Sequence, residues 1–263
     1  MAQTPIALAR LLELATRAAL APAAAILSGF RNPGLSVERK SDGSPVTPFD
    51  REAEQVIRGV LQSDAEHLWP VLGEEFGGET AGSQFRWVVD PIDGTMPYSR
   101  GLPYFGTLIA FEDLRAERAL VGVIQLPAFG ELYTAGRGLG SHCNGTPIRV
   151  APRRELPDCI VSAPDVRKFR AAGLGAGYER LSDAGPFFRG NGDCWMHAMA
   201  ARGAVDAVIE FSLNRWDVAA TEVLVEEAGG RFVTRPSKTV PGKCDTVLGS
   251  PHAVSEVLRL LDF

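Results

Sequence analysis

Trp87-Val88-Val89-Asp90-Pro91-Ile92-Asp93-Gly94-Thr95 is the stretch on which the reading of this chain turns. An apolar strand delivers one carboxylate at its end, a tight Pro/Gly turn sets a second three residues later, and a hydroxyl follows at once. Two such charges ~4 Å apart repel by about 4 kcal/mol at an effective dielectric of about 20, so a cation is expected between them. Hard carboxylate oxygens at short spacing suit Mg²⁺, which binds through a few carboxylates together with substrate phosphate. Gly94 lets the backbone approach a ligand closely. Amides at Gly94 and Thr95 are expected to face a phosphate, the more so if a helix begins near Thr95.

The flanking sequence supplies further acids. Glu74 and Glu75 lie in Val71-Leu-Gly-Glu-Glu-Phe-Gly-Gly-Glu79. Alone they would read as a solvated loop after a strand. Beside the aspartates they offer the extra carboxylate that a metal pair needs and a base for water. Asp217, in Trp216-Asp217, is expected both to N-cap the helix Val218 to Ala228 and to serve as a rigidly held ligand. Thr47-Pro48-Phe49-Asp50 reads as the start of a helix running to about Leu61. Asp50 is then either only a capping-box partner or an outer metal residue. Lys40 is expected in solvent, with phosphate as its alternative contact. His197, four residues after Asp193, is expected to pack or hydrogen-bond. His67, His142 and His252 have no partner pattern, and no Ser/His or Cys/His nucleophile arrangement is present.

The 263 residues are 45% hydrophobic with a net charge of −5, enough for one large domain or two tightly packed halves. The lack of a basic run argues against nucleic acid as the main ligand. Cys143, Cys159, Cys194 and Cys244 are scattered without ligand spacing and read as reduced thiols of a cytoplasmic protein. Ile6 to Phe30 reads as an amphipathic helix rather than a signal or membrane segment. Strands are expected at Leu68–Leu72, Phe85–Asp90, Thr107–Phe111, Ala119–Gln125 and Glu131–Ala135, a largely antiparallel half. A strand Ile160–Ala163, a helix Cys194–Ala201 and a strand Ala204–Ile209 follow. The helix from Asp217 ends at Gly229-Gly230, before a strand near Val247 and a last helix from Ala253. This order predicts a layered α+β architecture.

Gly73-Glu74-Glu75, Asp90-Pro91-Ile92-Asp93-Gly94-Thr95 and Trp216-Asp217-Val218-Ala219-Ala220, in that order, resemble the inositol-monophosphatase superfamily of Mg²⁺-dependent, lithium-sensitive phosphatases. The resemblance implies a five-layered αβαβα sandwich, often a homodimer. Residues 1–150 would form an N-terminal α+β half carrying most metal ligands. Residues 151–263 would form a C-terminal α/β half carrying Asp217 and substrate contacts, the two making one compact unit. It further implies that Glu74, Asp90 and the Ile92 carbonyl hold one Mg²⁺ and that Asp90, Asp93 and Asp217 hold a second. Thr95 with Glu74 would orient the attacking water, and Asp50 would help hold a third cation.

Gly73-Glu-Glu-Phe-Gly-Gly-Glu79, Gly106-Thr-Leu-Ile-Ala110, Gly130-Glu-Leu-Tyr133 and Gly192-Asp193-Cys194 resemble the histidinol-phosphate phosphatase branch more than the inositol branch. Histidinol phosphate, and with it histidine biosynthesis, is therefore the favoured expectation. Asp193 would suit a cationic amino alcohol; its alternative is a cap for the following helix. Glu210 matches a position that contacts inositol hydroxyls, which keeps inositol-1-phosphate or a related sugar phosphate in view; its alternative is a surface acid at a strand end. Met96-Pro97-Tyr98 and Gln125-Leu126 depart from the usual pattern without touching a metal ligand. The expected partner is a small phosphorylated metabolite, with neither nucleic acid nor membrane. A regulatory or scaffolding protein with incidental catalysis is the alternative from another class.

Overall fold

Alternation along the strand Phe85–Asp93 divides the core into layers. Trp87 and Val89 pack with Leu11, Leu14, Ala18 and Ile57 of the helices Leu8–Leu20 and Pro48–Leu61. Val88, between them, faces Ala219 and Val223 of the helix Arg215–Glu227. The same strand thus holds two helical layers apart. The computed structural model describes residues 7–63, 68–78, 82–190 and 192–263; Ile6, His67 and Glu79 lie outside the described residues.

The strand belongs to a seven-stranded sheet in the order Val71–Gly73, Phe85–Asp93, Gly106–Asp113, Arg118–Leu126, Glu131–Gly136, Gly140–Cys143 and Thr146–Pro147. The first pair is parallel and the others antiparallel. A second sheet of five strands runs Phe187–Arg189, Ile160–Ser162, Ala207–Leu213, Cys244–Gly249 and Arg231–Pro236. Helices Asp193–Ala201 and Arg215–Glu227 lie between the sheets, where Met196, Val223 and Leu224 share a core with Ile124 of the larger and Leu248 of the smaller. Helices Val166–Ala171, Gly175–Asp183 and Pro251–Leu261 close the far face through Phe169, Leu181, Val254 and Leu261. The stacking is αβαβα. Its central core mixes residues from both sides of position 150, since Val88, Leu108 and Ile124 pack with Val208, Val223 and Leu248.

Four local expectations change. The single N-terminal helix is two, Leu8–Leu20 and Ala23–Gly29, because Pro22 has no N–H to continue the ladder. Leu8–Gly29 is long and apolar enough to cross a membrane, and Leu11, Leu14, Ala15, Ala18 and Ala19 of it are buried in this fold. The strand expected at Leu68–Leu72 is Val71–Gly73, and that expected at Ala204–Ile209 runs Ala207–Leu213. The strands Gly140–Cys143, Phe187–Arg189 and Arg231–Pro236 and the helices Val166–Ala171 and Gly175–Asp183 were not foreseen. All four cysteines are free thiols.

Candidate active site

Asp90 and Asp93 sit where the pairing of Phe85–Asp93 with Gly106–Asp113 shifts register, an irregularity that re-aims side chains away from strict alternation. Asp217 arrives from the helix Arg215–Glu227, and one oxygen from each of the three aspartates lies within 4.8 Å of the others. Asp90 is 1% exposed, and its Oδ1 has no hydrogen-bond partner among the described residues. Burial, then the charges of Glu74, Asp93 and Asp217, push its carboxyl well above the usual range. Asp93 is raised in the same direction by burial, Asp193 and Asp217. Asp217 is pushed up to about 7 by burial, with Glu74 and Glu210 adding to it against the Asn214 amide. A buried, unpartnered carboxylate oxygen beside two more acids is costly unless a cation is there. An all-oxygen donor set of this kind fits Mg²⁺ and its hard relatives.

Two helix starts fix carboxylates by one device. Asp217 is the third residue of its helix rather than the expected cap; Asn214 is the cap, and its N–H donates to Asp217 Oδ2 at 2.7 Å. Asp50 repeats this with Thr47, whose N–H donates to Asp50 Oδ2 at 2.8 Å. In each case one oxygen holds the helix start and the other points toward the cavity. The second oxygen of Asp50 is 2.9 Å from the Thr95 hydroxyl, which also lies 3.0 Å from the Ile92 carbonyl. Gly94 has φ 83°, and a Cβ there would fall 2.5 Å from the Tyr104 carbonyl oxygen. The expected helix begins at Thr95 and runs to Ser99 with Pro97 inside it, while the Tyr98 hydroxyl donates to the Ile26 carbonyl.

Glu74 lines the same cavity of about 380 Å³ as Asp90, Asp93, Thr95 and Asp217. Lys40 is not free in solvent: its Nζ donates to Glu74 Oε1 at 2.8 Å and also to Glu75. Burial opposes the Lys40 charge, and the two glutamates outweigh it and raise its pKa. Burial likewise raises Glu75. Glu54 escaped the sequence reading. It is fully buried, paired with Arg58, and accepts the Glu75 N–H at 2.7 Å. The signal was available, since Glu54 lies on the same helical stripe as Ile57 and Leu61.

The acids expected at the substrate end are also brought in. His197 Nε2 is 2.8 Å from Glu210 Oε2, and its Nδ1 is 2.9 Å from the Thr221 hydroxyl. The Asp193 N–H donates to Glu210 Oε1 at 3.0 Å. Glu210 is therefore not a surface acid at a strand end. Burial would raise its pKa, but His197 and the Asp193 amide bring it below the ordinary value. Asp193 is pushed up to about 6 by burial and Glu210, against His197 and Lys168. Nor does Asp193 cap its helix: Gly192 is the cap, and the Cys194 N–H donates to the Asp93 carboxylate. Asp193 and Glu210 also line a second cavity of about 340 Å³ that extends to Lys168. Gln125 is 7% exposed, and its Oε1 has no partner among the described residues.

The profile of the inositol monophosphatase family matches residues 7–259. A histidinol-phosphatase of Chlorobaculum parvum is 36% identical over 220 residues, covering 83% of each chain. A fructose-1,6-bisphosphatase/inositol-1-monophosphatase of Aquifex aeolicus is 30% identical over 256 residues, covering 95% of this chain and 90% of its own. Among solved structures, the extragenic suppressor protein suhB of Bartonella henselae superposes with a TM-score of 0.84 at 27% identity, covering 96% of this chain and 98% of its own.

Proposed function

The chain belongs to the inositol monophosphatase family and is a phosphatase, and from that premise we propose a Mg²⁺-dependent hydrolase of phosphate monoesters whose favoured substrate is histidinol phosphate. The observation that carries the metal reading is the buried, unpartnered Asp90 Oδ1 beside Asp93 and Asp217. Glu74, Asp90 and the Ile92 carbonyl would hold one cation, Asp90, Asp93 and Asp217 a second, and Asp50 would help with a third. When bound, the cations supply positive charge for the phosphate and acidify the attacking water.

The remaining work falls to side chains. The Thr95 hydroxyl donates its hydrogen bond to Asp50 or to the Ile92 carbonyl, which leaves its lone pairs for the water that it would, with Glu74, aim at phosphorus. The amides of Gly94 and Thr95 receive the phosphate oxygens. Attack opposite the leaving oxygen needs no covalent intermediate on the chain, and positioning with charge neutralisation supplies most of the rate.

Glu210, whose pKa His197 and the Asp193 amide bring below the ordinary value, and Asp193 would offer carboxylates to the organic part of the substrate, which suits the ammonium of an amino alcohol. The similarity to a histidinol-phosphatase supports this choice. An inositol or sugar phosphate is the second reading, supported by the Aquifex aeolicus relative. Lys40 would reach substrate only by leaving Glu74 and Glu75. We also read the protein as a lithium-sensitive, cytoplasmic homodimer. Phosphate release from histidinol phosphate, inositol-1-phosphate and fructose-1,6-bisphosphate, assayed together, is expected to rank histidinol phosphate first. A higher kcat/KM for either other ester would overturn that choice, Mg²⁺-independent release would overturn the metal reading, and absent release from all three would overturn the proposed hydrolase. Capture of a stable protein partner that survives Asp93→Asn, with negligible turnover, would favour a scaffolding role.

A further inference from the structure

Arg215 is the first residue of the helix that carries Asp217, the end at which the helix dipole disfavours a cation. Its guanidinium nevertheless reaches across to the larger sheet. Nε donates to Glu112 Oε1 on the strand Gly106–Asp113, and Nη2 donates to Glu222 Oε2 at 2.6 Å. Glu112 is 4% exposed at its side chain, and its other oxygen accepts from Arg86 Nε at 2.7 Å. Arg86 and Glu112 are direct register partners, and Arg86 stands four residues before Asp90 on the same strand. The ionic chain Arg86–Glu112–Arg215 therefore connects the strand bearing Asp90 and Asp93 to the helix start bearing Asp217. Both Glu112 oxygens are used, so the separation of the two elements is set by two directed charge-assisted bonds rather than by packing alone. Arg215 thus carries a locally unfavourable charge that is satisfied by this bridge and by Glu222 of its own helix, and such a departure from helix preference marks a place to look for function.

We propose that Arg215, through Glu112, is a positioning residue that holds Asp217 at coordinating distance from Asp90 and Asp93. The inference rests on the metal reading above. Partners of this kind, which orient ligands without touching the cation, change metal affinity by about 10- to 100-fold when removed.

Calorimetric titration of the metal-stripped full chain with MgCl₂ alone tests it. Arg215→Met and Glu112→Gln are expected to weaken Mg²⁺ binding by about 10-fold, and Arg215→Lys, which keeps charge but not the two-carboxylate bridge, by less. Arg154→Met is the control for general destabilisation, because it removes the half-exposed Arg154 that pairs at 2.8 Å with the buried Asp206, outside this chain of contacts; its Mg²⁺ affinity is expected to stay at the wild-type value. Wild-type affinity in Arg215→Met and Glu112→Gln, or an equal loss in Arg154→Met, would overturn the proposal. Should Arg215→Met fail to fold, Glu112→Gln and Arg215→Lys decide by the same criterion. Absence of Mg²⁺ binding in the wild-type chain would overturn the metal reading itself, which separates the two failures.

Discussion

Asp90 and Asp50 are both buried acids near the same cavity, yet their surroundings differ. Asp90 keeps one oxygen without a protein partner, whereas Asp50 spends both on Thr47 and Thr95. Removing Asp50 should therefore act indirectly. Asp50→Asn is expected to lower kcat/KM by roughly 10- to 100-fold, and Asp90→Asn by a larger factor, as measured by phosphate release at saturating Mg²⁺. An equal or reversed order would contradict the assignment. The acids were legible individually because each sits in a local pattern: Asp90 at a strand end, Asp93 before a Gly turn, Asp50 and Asp217 at helix starts. Their partners distant in sequence were not legible. The Cys194 N–H that binds Asp93 is separated from it by 101 residues. The pairing of Lys40 with Glu74 spans 34 residues. Such contacts are set by packing of the layers, which no local spacing encodes.

At the level of single elements, the two capping boxes and the Gly94 turn do the positioning. Thr47→Ala removes the hydroxyl 2.6 Å from Asp50 Oδ2 and is expected to cost about 1 kcal/mol of stability, read as a lower thermal midpoint, together with some activity through Asp50. Gly94→Ala meets both a left-handed backbone and the Tyr104 carbonyl, so activity should fall more than stability, seen by comparing kcat/KM with the melting temperature. Equal activity in Gly94→Ala would show that the turn is not needed. The Thr47 box, the Thr95 helix start and the main strands were readable because capping and alternation are local signals. The helices Val166–Ala171 and Gly175–Asp183 were not. The second opens Gly175-Ala-Gly177, where glycines weaken the helical signal, yet Gly177 is needed because a Cβ there would fall 2.7 Å from the Leu261 Cα.

The five layers bring into one cleft acids that would repel one another in the metal-free chain. With Asp217 at about 7 and Asp193 at about 6, the metal-free folded state binds protons that the unfolded chain, with aspartates near 3.9, gives up earlier. Stability from these groups is complete below about pH 4 and is lost as pH rises through about 6 to 7. Chelator-treated protein is thus expected to melt at progressively lower temperature from pH 5 to pH 8, and saturating Mg²⁺ should flatten that slope. The opposite slope would contradict the crowding of these carboxylates. Mg²⁺ at 100 times its dissociation constant should also stabilise the fold by about 2.7 kcal/mol through linkage. The most direct test is phosphate release from histidinol phosphate by metal-stripped protein as MgCl₂ is added back. Convergence of Asp90, Asp93 and Asp217 on a cation predicts no turnover without Mg²⁺ and saturable recovery with it, abolished in Asp93→Asn. Full turnover in chelator, or recovery undiminished in Asp93→Asn, would contradict it.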